Sequence, residues 1–158
     1  MKKHTRALAG RRAQNNGAVF ETLFQGACLR RGIATTRIPD GCKQLATRRI
    51  IRVRTPFDWA LSYNGKAALI DTKTLDEAAF PNGAVDPNQA YTLLTHLLKG
   101  TIAGYVVNLR KIDTCVYIPA SNLCNALKGR GSIKVSDPGV VLLGTLQTMD
   151  MTRLFTSV

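Results

Sequence analysis

Acidic residues are scarce in this chain: 10 Asp and Glu stand against 22 Lys and Arg in 158 residues, a formal net charge of +12. Long apolar runs are lacking too. None approaches the ~20 residues that a bilayer-spanning helix needs, so an integral membrane protein is not expected. The opening Met1-Lys2-Lys3-His4-Thr5-Arg6 leads into no apolar stretch, so no secretory signal peptide is expected either. There are only two histidines, His4 and His96. A histidine-based nucleophilic site would have to use one of them, and His96, in a leucine-rich helical stretch, reads as a packed structural residue. The four cysteines (Cys28, Cys42, Cys115, Cys124) form no Cys-x-x-Cys pair and have no histidine at ligand spacing, which argues against zinc. They read as small buried hydrophobes in a reducing cytosol. The 45% of hydrophobic residues is enough for a core, and the length fits one domain.

The positive charge is concentrated at one end. Residues 1–54 hold 13 Lys and Arg against Glu21 and Asp40, a net of +11, while residues 55–158 hold 9 against 8. A polyanion is the expected partner. Residues 1–14 offer no apolar cluster beyond Ala7, Leu8 and Ala9, which favours nucleic acid over a membrane surface. Two basic groups stand out as DNA-binding candidates. Lys2, Lys3, Arg6, Arg11 and Arg12 read as a flexible arm over residues 1–14. Lys43, Arg48, Arg49, Arg52 and Arg54 lie where Ile50, Ile51 and Val53 indicate strand. There Arg48, Arg52 and Arg54 would share one face because strand side chains alternate.

Periodicity and turn signals place the elements. Phe20, Leu23, Phe24, Ala27 and Cys28 recur at helical spacing, so a helix is expected over 16–31, with Gly32 as its stop. Strands are expected at 33–38, 57–63, 66–74, 102–109 and 114–118. A second helix is expected over 88–99 and a short third over 120–127. Beyond Gly129 little is legible except weak strands near Ile133 and Val140. This order gives an α/β or α+β domain over residues 15–158 with a mixed sheet.

Asn64-Gly65 is a strong two-residue hairpin signal. With that loop, facing residues sum to 129, which sets Asp58 opposite Asp71. Alternation from the turn makes this a non-hydrogen-bonded pair, with Cα atoms ~4.5 Å apart, and Lys73 lies on the same face. Like charges directly opposed destabilise a sheet. A divalent cation between the carboxylates would offset the repulsion, and oxygen-only ligands suit Mg²⁺ or Mn²⁺. Two exposed acids screened by water and Lys73 are the alternative, against which the apolar flanks Phe57, Trp59, Ala68, Leu69 and Ile70 argue. Two acids, a lysine and a metal suit phosphodiester hydrolysis.

Asp58, twelve intervening residues and then Asp71-Thr72-Lys73 resemble the core of the PD-(D/E)XK nuclease superfamily, and within it the RecU-type Holliday junction resolvases. The resemblance runs from about Gly17 to Pro119. It takes in Glu21, the Gly65-Lys66 turn, Phe80-Pro81, Gln89, Gly104-Tyr105-Val106-Val107 and Tyr117-Ile118-Pro119. It implies a restriction-endonuclease-like mixed central sheet flanked by helices, with a basic stalk at about residues 40–54 protruding between the first two strands. It also implies a homodimer that nicks opposed strands of a four-way DNA junction using Mg²⁺, with Mn²⁺ as substitute. Glu21, Asp58, Asp71, Lys73 and Gln89 would be the catalytic set, with Asp58, Asp71 and Glu21 on the metal. Leu154, Phe155 and the segment 140–146 would offer dimer contact surface. The sequence departs from the pattern at Pro56-Phe57-Asp58, where one residue separates the usual Pro-Asp pair, and at Asp71, where most members carry Glu. A restriction- or repair-type nuclease of the same fold, or a non-catalytic nucleic-acid-binding protein, are the competing readings. The small size and dense charge suit a phage-encoded enzyme acting in the cytoplasm of a bacterial cell or phage-infected host.

Overall fold

The computed structural model describes the backbone of residues 2–44, 50–53 and 55–157 and the side chains of 15–41 and 55–157. The chain opens with α1 (Lys2–Arg30), followed by β1 (Ala34–Arg37), β2 (Gly41–Gln44), β3 (Ile50–Val53), β4 (Trp59–Tyr63) and β5 (Lys66–Leu75). The short β6 (Phe80–Pro81) and a 3₁₀ turn lead into α2 (Pro87–Leu98), β7 (Ile102–Leu109) and β8 (Thr114–Pro119). Then come α3 (Ala120–Ala126), β9 (Ser132–Ile133), β10 (Val141–Gly144) and α4 (Arg153–Thr156). No helix among the described residues is long and apolar enough to cross a membrane.

Six strands form one mixed sheet in the order β1-β4-β5-β7-β8-β10. Only β5 and β7 run parallel, joined by a crossover through α2. The other pairs are antiparallel. The Asn64-Gly65 turn is as expected: both residues have positive φ, 48° and 76°, the geometry of a type I′ hairpin. Pairing from Tyr63↔Lys66 to Trp59↔Ile70 follows the expected register.

Helices cover both faces, because buried strand residues alternate between two cores. On one face Phe20, Phe24, Ala27 and Cys28 of α1 pack on Trp59, Leu61, Ile70, Val106 and Tyr117. On the other, Ala90 and Leu93 of α2 and Leu123 of α3 pack on Ala103, Tyr105, Val107 and Ile118. Gly104 lets β7 and β8 close up, since a Cβ there would stand 2.2 Å from the Ile118 carbonyl oxygen.

Several expectations need correction. The helix expected at 16–31 begins at Lys2, so the segment expected as an arm continues α1. Good helix formers such as Ala7, Leu8, Ala9, Arg11, Arg12 and Ala13, with no proline, carry the backbone through. Between β5 and α2, where no element is expected, β6 pairs with β9. Leu154 and Phe155 are not dimer surface. They are buried in the α1-side core with Met149 and Met151, Phe155 lying 5.4 Å from the Tyr63 ring and its carbonyl accepting from Lys66 Nζ at 2.8 Å. Of 140–146, Leu143 is buried and Leu142 exposed.

Between β1 and β4, β2 and β3 form a separate two-stranded antiparallel ribbon. Its position matches the expected stalk. At its base the Thr55 N–H and Oγ1 both donate to Asp40 Oδ1, at 3.2 and 3.4 Å. Arg48, Arg49 and Arg54, and the side chains of Lys43, Arg52, Lys2, Lys3, Arg6, Arg11 and Arg12, lie outside the described residues.

Candidate acidic site on the central sheet

The site is built where β4 begins beside the longer β5. Thr72 of β5 lies beyond the last pair of that ladder, Trp59↔Ile70, so its N–H needs another acceptor. Asp58 supplies it: Oδ2 accepts from the Thr72 N–H at 3.2 Å and from the Thr72 hydroxyl at 3.1 Å. The ladder is irregular at this point, the Asp58 N–H donating to the Ile70 carbonyl at 3.0 Å. Asp58 therefore does not sit squarely opposite Asp71 as the simple register predicts. Its carboxyl nevertheless lies near enough to that of Asp71 to interact with it by charge.

Asp71 is the centre of the cluster and only 2% exposed. Its Oδ1 accepts from Gln89 Nε2 at 3.1 Å, and its Oδ2 contacts the Lys73 ammonium. Burial pushes its carboxyl from the ordinary 3.8 up to about 6; Lys73 opposes that rise and Asp58 adds to it. Lys73, two residues on in β5, is about one-third exposed. Gln89 enters from the first turn of α2. That turn is fixed by Pro87 at its start and by Asp86, whose carboxylate caps the Asn88 and Gln89 N–H groups at 2.9 and 3.2 Å. Gln89 Oε1 accepts from Lys73 Nζ at 3.4 Å and from the Tyr105 hydroxyl at 2.9 Å. Beside Gln89 a cleft of about 280 Å³ opens between Thr55, Pro56, Asp86, Asn88 and Thr92.

Four of the five expected catalytic residues thus meet: Asp58, Asp71, Lys73 and Gln89. Glu21 does not join them. It pairs with Arg37 at 2.7 Å, and the Arg37 guanidinium lies 5.8 Å from the Trp59 ring centroid. Trp59 packs in the α1-side core, whereas Asp71 bonds Gln89 of α2. Arg31 pairs with Asp150. Sequence reading also missed Thr72 and Tyr105. The span between Asp71 and Lys73 hinted at the first; nothing local marked the second.

No group of three acidic, histidine or cysteine side chains gathers as a metal cluster among the described residues. The donor set is two carboxylates, Asp58 and the buried Asp71, whose Oδ2 lies against the Lys73 ammonium. Such a pair fits Mg²⁺, which keeps several of its waters and takes one or two protein carboxylates. His96 is structural as expected, edge-on to Phe57 at 6.0 Å, and Cys28, Cys115 and Cys124 are buried free thiols.

No family model and no curated protein matches the chain. Among solved structures it is similar to the 1.6 Å structure of Hjc, a Holliday junction resolvase from the archaeal hyperthermophile Archaeoglobus fulgidus. The identity is 16% and the TM-score 0.49, over 66% of this chain and 78% of that one.

Proposed function

We propose that this chain is a metal-dependent endonuclease that binds four-way DNA junctions and resolves them by paired symmetric nicks. The observation that carries the chemistry is the buried Asp71 carboxyl, held beside Asp58 and against the Lys73 ammonium. Asp58 and Asp71 would hold Mg²⁺ or Mn²⁺. The ion, when bound, supplies Lewis-acid polarisation of a phosphate oxygen. The protein's own groups do the rest. Thr72 holds the Asp58 carboxylate in place, and Gln89 holds Asp71. Lys73 Nζ, partly open to solvent, donates hydrogen bonds to the phosphate and balances the negative charge that grows there.

The substrate assignment rests on charge and placement. The +11 concentrated in residues 1–54 suits a polyanion, and the ribbon of β2 and β3 is inserted immediately before the strand that follows Asp58. A homodimer would give the two active sites that paired nicks require. The sequence resemblance to RecU-type resolvases supports the same reading.

The test is cleavage of a synthetic four-way junction and of a linear duplex in Mg²⁺. Symmetric nicks in the junction and little cutting of the duplex are expected. Asp58→Asn abolishes the nicks while junction binding stays nearly intact. Equal cutting of both substrates would overturn the junction specificity. Wild-type cleavage by the Asn variant would overturn the site.

A further inference from the structure

We infer that Tyr105 is a positioning residue of this site: its hydroxyl fixes the direction of the Gln89 side-chain amide and, through it, the placement of Asp71 and Lys73. The inference rests on the reading of Asp71 and Lys73 as part of the reacting centre.

Sheet register brings the tyrosine there. Asp71 and Tyr105 are partners in the parallel β5–β7 pair, so both side chains leave the sheet on the α2 side. Tyr105 is wholly buried. Phe80 packs against its ring edge to face at 5.8 Å, and Lys73 Nζ lies 5.1 Å from the ring centroid, within cation–π range. One side chain therefore touches both Lys73, through its ring, and Gln89, through its hydroxyl.

The hydrogen bonds run in one direction only. The Tyr105 hydroxyl donates its proton to Gln89 Oε1, at 2.9 Å. That oxygen also receives the Lys73 ammonium, at 3.4 Å. The amide nitrogen is left to Asp71 Oδ1, at 3.1 Å. The reversed amide would set its NH₂ against an ammonium and its oxygen against a carboxyl, two repulsive contacts in a buried site. Without the tyrosine hydroxyl, Oε1 keeps only the longer contact from Lys73. A side chain with three rotatable bonds then loses its shortest restraint.

The test uses the full chain, free of metal, with the Gln89 side-chain NH₂ followed by ¹⁵N–¹H NMR and identified by its loss in Gln89→Glu. Tyr105→Phe keeps the ring and removes only the hydroxyl. It is expected to shift the Gln89 resonance and to hasten its exchange with water. It is also expected to slow single-turnover junction nicking about tenfold, the equivalent of one hydrogen bond, at unchanged junction affinity. In a Gln89→Ala background the same substitution causes no further slowing. An unmoved Gln89 signal, or a slowing that persists in that background, overturns the inference. In the unmutated protein, a protected Tyr105 hydroxyl proton close to the Gln89 side chain is expected, and its absence overturns the inference however the variant folds. If the wild-type chain nicks no DNA while Gln89 still responds to Tyr105→Phe, the nuclease reading falls and the positioning role stands.

Discussion

Replacing Asp71 by Asn removes a buried charge and keeps the side chain's size. In the folded chain this carboxyl releases its proton near pH 6, against 3.8 ordinarily, chiefly because burial disfavours the ionised form. Between those values the folded state binds more protons than the unfolded one. Stability contributed by this group is therefore present below about pH 4, falls as pH rises, and is lost above about pH 6. At about 1.4 kcal/mol per pH unit, the whole interval amounts to about 3 kcal/mol. Other groups titrate in the same range, so the informative quantity is the stability difference between Asp71→Asn and wild type, measured by urea unfolding in a chelator at pH 4 and pH 8. That difference is expected to move in the variant's favour by about 2–3 kcal/mol from the lower to the higher pH. Added Mg²⁺ or Mn²⁺ moves the difference back in favour of wild type at pH 8. Wild type gains about 2.7 kcal/mol at a hundred times the dissociation constant, and the variant gains little. A difference flat with pH would refute the electrostatic account of Asp71, and equal stabilisation of both proteins by the ion would refute its place at the metal.

Glu21→Gln is expected to leave Mn²⁺ affinity, read by calorimetry, unchanged, because Glu21 is paired with Arg37; a loss matching that of Asp58→Asn would show that the helix acid reaches the ion after all. Replacing Arg48, Arg52 and Arg54 together by Ala should lower the salt slope of junction binding by up to about three, one for each phosphate no longer neutralised; an unchanged slope means that these arginines do not meet phosphate. Gly104→Ala places a methyl against the Ile118 carbonyl and is expected to cost about 3 kcal/mol or more in thermal or urea unfolding, at the upper end of overpacking; a variant as stable as wild type would mean that β7 and β8 separate cheaply.

Local signals carried much of the architecture. The helical spacing of Phe20, Phe24, Ala27 and Cys28, and the run 102–109, apolar except for Asn108, correspond to α1 and to the wholly buried β7. Glycine and proline punctuation gave α2 to within a residue at either end. Where expectation failed, the deciding interactions were distant in sequence. The stretch after Gly129 has no strong periodicity of its own, yet Met149, Met151, Leu154 and Phe155 fold back onto α1 and the sheet. The start of α1 was missed because residues 2–14 have little amphipathic pattern to read.

The Asn-Gly corner and the period-two alternation of strands were enough, unaided, to bring Asp58, Asp71 and Lys73 into one neighbourhood, because a tight hairpin ties chemistry to residue number. The sheet's two-sidedness lay beyond that arithmetic. Which face α1 covers, and hence that Glu21 meets Arg37 while Gln89 and Tyr105 close over Asp71, follows from the crossover of α2 and the parallel pairing of β5 with β7. Such pairing joins residues more than thirty apart, and no local pattern records it.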